Sequence, residues 1–144
     1  MEYNFKDIHI GHLILQLVNE QKIETDRILK FFKITDEELE KMYQSKNIDT
    51  EKLLLWSKLL AYDFFRIYTQ HLVLYAPPTS INYKKENNFK SVPQFRKNVY
   101  TTEIIDFFLE MLDKGEMTKN EIIEKYNIPK TTLYKWIKKY KKDQ

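Results

Sequence analysis

Residues 118–140 read TKNEIIEKYNIPKTTLYKWIKKY, and the rest of the chain is read outward from them. Thr118 and Glu121 have the spacing of a capping box, in which each side chain accepts from the other residue's backbone N–H at a helix start. Ile122, Ile123 and Tyr126 give the helix that follows an apolar side. Asn127 tolerates positive φ, which makes it the usual substitute for glycine where a helix ends. Ile128 is an apolar plug for the turn. Pro129 cannot continue the first helix, yet its fixed φ suits the opening of the next. Leu133, Trp136, Ile137 and Tyr140 then recur at spacings of 3, 1 and 3, so they share one helix face. Lys130, Thr131, Thr132, Lys135, Lys138, Lys139 and Lys142 fall on the other faces. Two short helices, a tight turn and a lysine-rich second helix read as a helix-turn-helix, with helix 130–142 offered to the major groove of double-stranded DNA.

The charge distribution points the same way. The 144 residues carry a net charge of only +3. Residues 1–76 hold 10 Lys+Arg against 12 Asp+Glu, while residues 77–144 hold 14 against 9. Residues 130–144 alone hold six lysines and one aspartate. A segment that meets a polyanion shows this kind of local excess; so does a solvated lysine-rich tail, and the motif beneath the charge favours DNA.

Upstream, the apolar spacing predicts five helices. Ile10, Leu13, Ile14, Leu17 and Val18 stripe the first, over 8–20. Thr25 opens a second with Ile28, Leu29 and Phe32 inward. Thr35 and Glu38 form another capping box before a third, lined by Leu39, Met42 and Tyr43. Asp49 or Thr50 caps a fourth carrying Leu53, Leu54, Trp56, Leu59 and Leu60. A fifth spans about 63–75, with Phe64, Phe65, Ile67, Tyr68, Leu72 and Tyr75, until Pro77 and Pro78 stop it. Residues 77–100 have three of the four prolines, many asparagines and no helical stripe, and read as a linker. Basic and aromatic residues alternate there, at Tyr83, Lys84, Lys85, Phe89, Lys90, Phe95, Arg96 and Lys97. Such a segment packs its rings on a domain or lies along DNA. Thr101 or Thr102 opens a sixth helix striped by Ile104, Ile105, Phe108, Leu109 and Leu112, which supports the C-terminal pair. The fold expected is all-α: two small helical domains, each helix-turn-helix-like, at 1–76 and 101–144, joined by a Pro- and Asn-containing linker.

The run YNIPKTTLYKWIKKY resembles the helix-turn-helix of insertion-sequence transposase subunits and related regulators. Tyr126, Ile128, Thr132, Leu133, Tyr134, Trp136, Ile137, Lys138 and Tyr140 carry the match; Asn127 stands for the usual Gly and Pro129 for the usual cap Ser. The segments IGHLI, ITDEELEKMYQSKNID and LLLWSKLLAYDFFRIY are similar to their counterparts in lambda-repressor/Cro-like domains. That second resemblance implies Thr25–Phe32 as scaffold helix and Asp36–Gln44 as recognition helix. The latter begins Asp36, Glu37, Glu38, with Glu40 next, and carboxylates repel a phosphate lattice. The N-terminal unit is therefore expected to assemble the protein rather than bind DNA.

Several functions are excluded by composition. No cysteine means no disulfide and no thiolate metal site. Glycine occurs only at Gly11 and Gly115, so no glycine-rich phosphate loop exists. His9 and His12 lack an HExxH context and read as surface or partly buried histidines. No apolar run approaches the roughly 20 residues of a membrane span, and the N-terminus MEYNFKDIHIG is unlike a signal peptide. The expected protein is not an enzyme and has no catalytic residue, metal or cofactor. It is cytoplasmic and nucleoid-associated, and binds DNA through Lys130, Thr131, Thr132, Tyr134, Lys135, Lys138, Lys139 and Lys142. It pairs as a homodimer to read two half-sites. The two reasonable alternatives are a DNA-binding subunit working with a separate catalytic transposase chain and a protein-interaction module with a basic tail.

Overall fold

The computed structural model describes residues 3–76, 91–93 and 99–141. The described residues form eight helices and no strand: α1 (Ile10–Gln21), α2 (Thr25–Phe32), α3 (Asp36–Gln44), α4 (Thr50–Leu59), α5 (Phe65–Tyr75), α6 (Thr102–Asp113), α7 (Lys119–Tyr126) and α8 (Lys130–Tyr140). None of them is long and apolar enough to cross a membrane. The chain divides into two compact units, residues 7–67 and residues 1–6 with 68–144, so the division falls within α5. Of the expected linker 77–100, only 91–93 and 99–100 are described. Its basic and aromatic residues from Tyr83 to Lys97 lie outside the described residues.

The unit 7–67 is built around Trp56, which is fully buried with Ile10, Ile14 and Ile28. The Trp56 ring of α4 lies 4.6 Å from Phe32 and 6.2 Å from Tyr43, so α2 and α3 both supply its packing. Gly11 brings α1 onto the end of α3. Its N–H donates to the Ser45 carbonyl at 3.1 Å, beside Ile10 N–H to Lys46 at 3.2 Å. A Cβ on Gly11 would sit 2.4 Å from the Met42 and Tyr43 carbonyl oxygens, so only glycine fits this approach. The His pair has a local role. His9 caps α1, its Nδ1 accepting from the His12 N–H at 3.2 Å, and the two rings stack 3.5 Å apart. Asp49 caps α4, accepting from the Lys52 N–H at 2.8 Å.

In the other unit, Ile104, Phe108, Ile122, Ile128 and Leu133 are fully buried. The Phe108 ring gathers Tyr126 at 4.9 Å and Trp136 at 6.2 Å, joining α6 to both later helices. Thr101 caps α6. Gln70 on α5 is a buried polar residue with both ends satisfied: its Oε1 accepts from the Thr101 N–H at 2.9 Å and its amide donates to the Val99 carbonyl. His71 Nδ1 lies 2.6 Å from the Phe5 carbonyl. A carbonyl oxygen only accepts, so Nδ1 carries the hydrogen.

Three expected faces are corrected. On α5 the inward residues are Ile67, Gln70 and Val73, whereas Tyr68, Leu72 and Tyr75 are exposed. The two stripes are both apolar enough for either to be chosen by composition. Leu54 on α4 points to solvent, 47% exposed, because Leu53, Trp56 and Leu60 already complete the buried stripe. Tyr140 is 38% exposed at the last turn of α8.

Candidate nucleic-acid interface

The α7–α8 pair forms from local signals. The Thr118 hydroxyl accepts from the Glu121 N–H at 3.3 Å, and the Glu121 carboxylate accepts from the Thr118 N–H at 2.6 Å. That bonding holds the Glu121 carboxyl below its usual range, the Thr118 backbone bond being the larger cause and its hydroxyl the smaller. Asn127 ends α7 in the left-handed region at φ 49°, ψ 44°. Ile128 is buried beneath the turn. Pro129 sits at the N-cap of α8 rather than inside it, and its carbonyl accepts from Thr132 at 2.9 Å and Leu133 at 3.1 Å. Leu133 anchors α8, while Trp136 and Ile137 are half-buried.

The outward side of α8 is basic. Thr131, Lys135 and Lys138, spaced 4 and 3, lie on the side away from Leu133. They are exposed, as are Lys130, Tyr134 and Lys139; Thr132 is half-buried beside the turn. Lys130, Lys135, Lys138 and Lys139 make no ion pair among the described residues. No carboxylate interrupts residues 130–141. Each lysine therefore presents its full charge to whatever approaches this side. Lys142 lies outside the described residues. Lys141, which follows the helix, is held by Asp113 of α6 at 2.5 Å.

One basic residue joins the site from outside helix 130–142. The Lys119 ammonium, from the first turn of α7, lies 5.1 Å from the centre of the Tyr134 ring; that of Lys130 lies 5.5 Å from it. Lys119 is 15 positions before Tyr134, and no helix-face spacing within one element connects them. Only folding of the turn brings the two together.

The α2–α3 pair shows the opposite surface on a similar turn. Lys33 is left-handed at φ 55°, ψ 48°, Ile34 is half-buried, and Thr35 caps α3. Glu38 folds back into its capping box, with 2.8 Å from the Thr35 N–H to its carboxylate. Asp36, Glu37 and Glu40 remain outward, lining a groove of about 430 Å³ with Thr25. All four of these acidic residues are exposed, with the Glu38 carboxylate turned back onto the Thr35 N–H. Among the described residues no group of three or more His, Asp or Glu side chains could hold a metal ion.

No family model, no curated protein and no solved structure matches the chain.

Proposed function

We propose that this chain is a non-enzymatic, sequence-specific DNA-binding protein, a transcriptional regulator that reads the major groove with α8 and works as a homodimer on the nucleoid. The observation that carries the proposal is the outward side of α8: four lysines with no ion-pair partner among the described residues and no carboxylate between them, on the second helix of the α7–α8 pair. Thr131, Tyr134 and Lys135 lie in the first turns, where base edges are reached; Lys138 and Lys139 lie farther along, where phosphates are the partners. A single short helix reads few base pairs, which favours two half-sites and two copies. Tyr68, Leu72 and Tyr75, spaced 4 and 3, leave an uncharged exposed stripe on α5 suited to a second copy.

Selection of bound duplexes from random DNA tests the proposal, followed by two variants. Lys135→Ala should change preference at one base position by about 1–3 kcal/mol. Lys138→Ala should weaken all sequences alike and flatten the logarithmic salt dependence by about 0.9. If neither variant changes affinity in low salt, α8 is not the DNA contact. Light scattering checks the pairing: a monomer at micromolar concentration, with and without DNA, argues against it.

A second reading keeps the same site but a different task, that of a non-catalytic subunit binding the ends of an insertion sequence. The run Thr132, Leu133, Tyr134, Trp136, Ile137, Lys138 and Tyr140 favours it. A gene for a catalytic transposase directly beside this one would support that task.

A further inference from the structure

Helices α1–α3 and α6–α8 follow one plan. Their lengths are 12, 8 and 9 residues against 12, 8 and 11. Their core positions fall in one ungapped register of 94 residues: Ile10 and Ile104 (104 − 10), Ile28 and Ile122 (122 − 28), Leu39 and Leu133 (133 − 39), each pair buried. Ile14 and Phe108 keep the register in the first helix of each set, and both are fully buried. The left-handed residues Lys33 and Asn127 keep it too, as do the N-caps Thr35 and Pro129. The connections before the second helix differ: α1 ends on a left-handed Lys22, whereas α6 runs into Lys114 and a left-handed Gly115.

We infer that the two three-helix sets are copies of one unit, and that a clasp of Lys119, Tyr134 and Lys130 is the phosphate-gripping part that makes the second copy the DNA reader. The inference rests on the DNA-binding function proposed above and adds to it a residue, Lys119, that lies outside α8. In the same register, Thr25, Glu40 and Asp36 of the first copy stand where the clasp stands in the second. Glu40 and Asp36 are two of the outward carboxylates on the groove at α3. The first copy thus has the frame with the clasp's chemistry inverted.

The clasp has a physical logic. Two ammonium groups repel, and neither has a carboxylate partner among the described residues. The Tyr134 ring attracts both, with the two ammonium groups 5.1 and 5.5 Å from its centre. Held at this exposed ring, the two ammonium groups offer hydrogen-bond donors to the phosphates of a DNA backbone. Backbone phosphates supply the negative charge that the two ammoniums lack, so the arrangement is best satisfied on DNA.

The test is duplex binding by the full chain, measured against salt concentration. Lys119→Thr, the residue of the first copy, should weaken binding and flatten the logarithmic salt slope by about 0.9, the loss of one phosphate contact. Lys119→Arg should keep the slope. Tyr134→Leu should flatten it too, by releasing both lysines. Lys125→Thr is the control: an exposed α7 lysine whose ammonium bears on Tyr126 instead, at 5.3 Å, and whose loss should leave the slope higher than in Lys119→Thr. All these side chains except Tyr134 are exposed lysines, and circular dichroism confirms each variant's fold. Equal slopes for Lys119→Thr and Lys125→Thr, with Lys138→Ala still weakening binding, would overturn the clasp and leave α8 as the reader. A full chain with no salt-dependent duplex binding would overturn both.

Discussion

Lys33, Ile34 and Thr35 turn α2 into α3; Asn127, Ile128 and Pro129 turn α7 into α8. Both turns pass through one left-handed residue, bury or half-bury one isoleucine and open the next helix at the third position. Beyond the turn they part. The helix after Thr35 begins with carboxylates, and the helix after Pro129 begins with Lys130 and two threonines. The inward residues fix the backbone, because an apolar plug and a left-handed link leave the chain one compact way to turn. The outward residues carry no such demand, so opposite charges sit on one frame at little cost to folding. What the frame does is decided at positions that the frame does not need.

The severest way to break this comparison is to empty the shared core position. Leu39 and Leu133 are both buried beside their turns. Leu39→Ala and Leu133→Ala should each destabilise their own unit by about 2–5 kcal/mol. Amide hydrogen exchange reads the two units separately. A large loss at one position and a negligible one at the other would show that the turns share a shape without sharing a packing role.

A smaller effect should come from the place where the two sets differ most. Gly11 lies against three carbonyl oxygens of the α3 end, at 2.4 to 2.6 Å from the position of its missing Cβ. Its counterpart in the 94-residue register is Ile105, where a large side chain is accommodated and buried. Gly11→Ala should cost about 1–3 kcal/mol through forced separation of α1 from α3. Urea unfolding measures it, with loss of protection at the Ile10 and Gly11 amides as its signature. No change would mean that α1 docks on α3 through its side chains alone.

How far the sequence discloses all this depends on the range of each interaction. The capping boxes at Thr35–Glu38 and Thr118–Glu121 are visible because both partners lie within one turn. Asn127 is visible because asparagine prefers the conformation it adopts. Lys33 is not, since nothing about a lysine announces positive φ, and the turn there shows only through Ile34 and the Thr35 cap. The buried side of α5 is hidden for another reason. Its two stripes are nearly equal in hydrophobicity, and the choice between them is settled by Gln70, a polar side chain buried by bonds to Val99 and Thr101 some thirty residues on. The contact of Lys119 with Tyr134 crosses the turn and has no sequence signal. Four of the lysines on α8 were legible as a basic side, but that Lys141 is diverted to Asp113 was not, because the partner lies on α6.

Exchanging the left-handed residues sharpens the comparison of the turns themselves. Most side chains pay about 1–2 kcal/mol in that region, and asparagine less. Lys33→Asn should therefore raise the stability of the first unit by about 1 kcal/mol, and Asn127→Lys should lower that of the second by about the same. Thermal melts of the two single variants supply both numbers. If Lys33→Asn destabilises, the aliphatic stem of Lys33 packs on its surroundings by more than the backbone gain.

The smallest expected effect concerns pH and lies at the start of α7. Glu121 is exposed, and its carboxyl is held below the ordinary value of a glutamate, first by the Thr118 backbone N–H and then by the Thr118 hydroxyl. A carboxyl depressed in the folded state binds its proton more weakly there than in the unfolded chain. Its stabilising contribution is complete above the unfolded pKa and is lost as pH falls through the folded one. The second unit should therefore lose a little stability as pH drops through the acid range in which glutamates take up a proton. In Glu121→Gln the amide oxygen still accepts from Thr118, but no charge is there to be lost. The wild-type advantage over Glu121→Gln should be present at pH 6 and gone once the carboxyl is protonated, when melts at several pH values are compared. A constant difference across that range would mean that the box acts through its geometry alone, and that the charge of Glu121 adds nothing at the entrance to the basic helix pair.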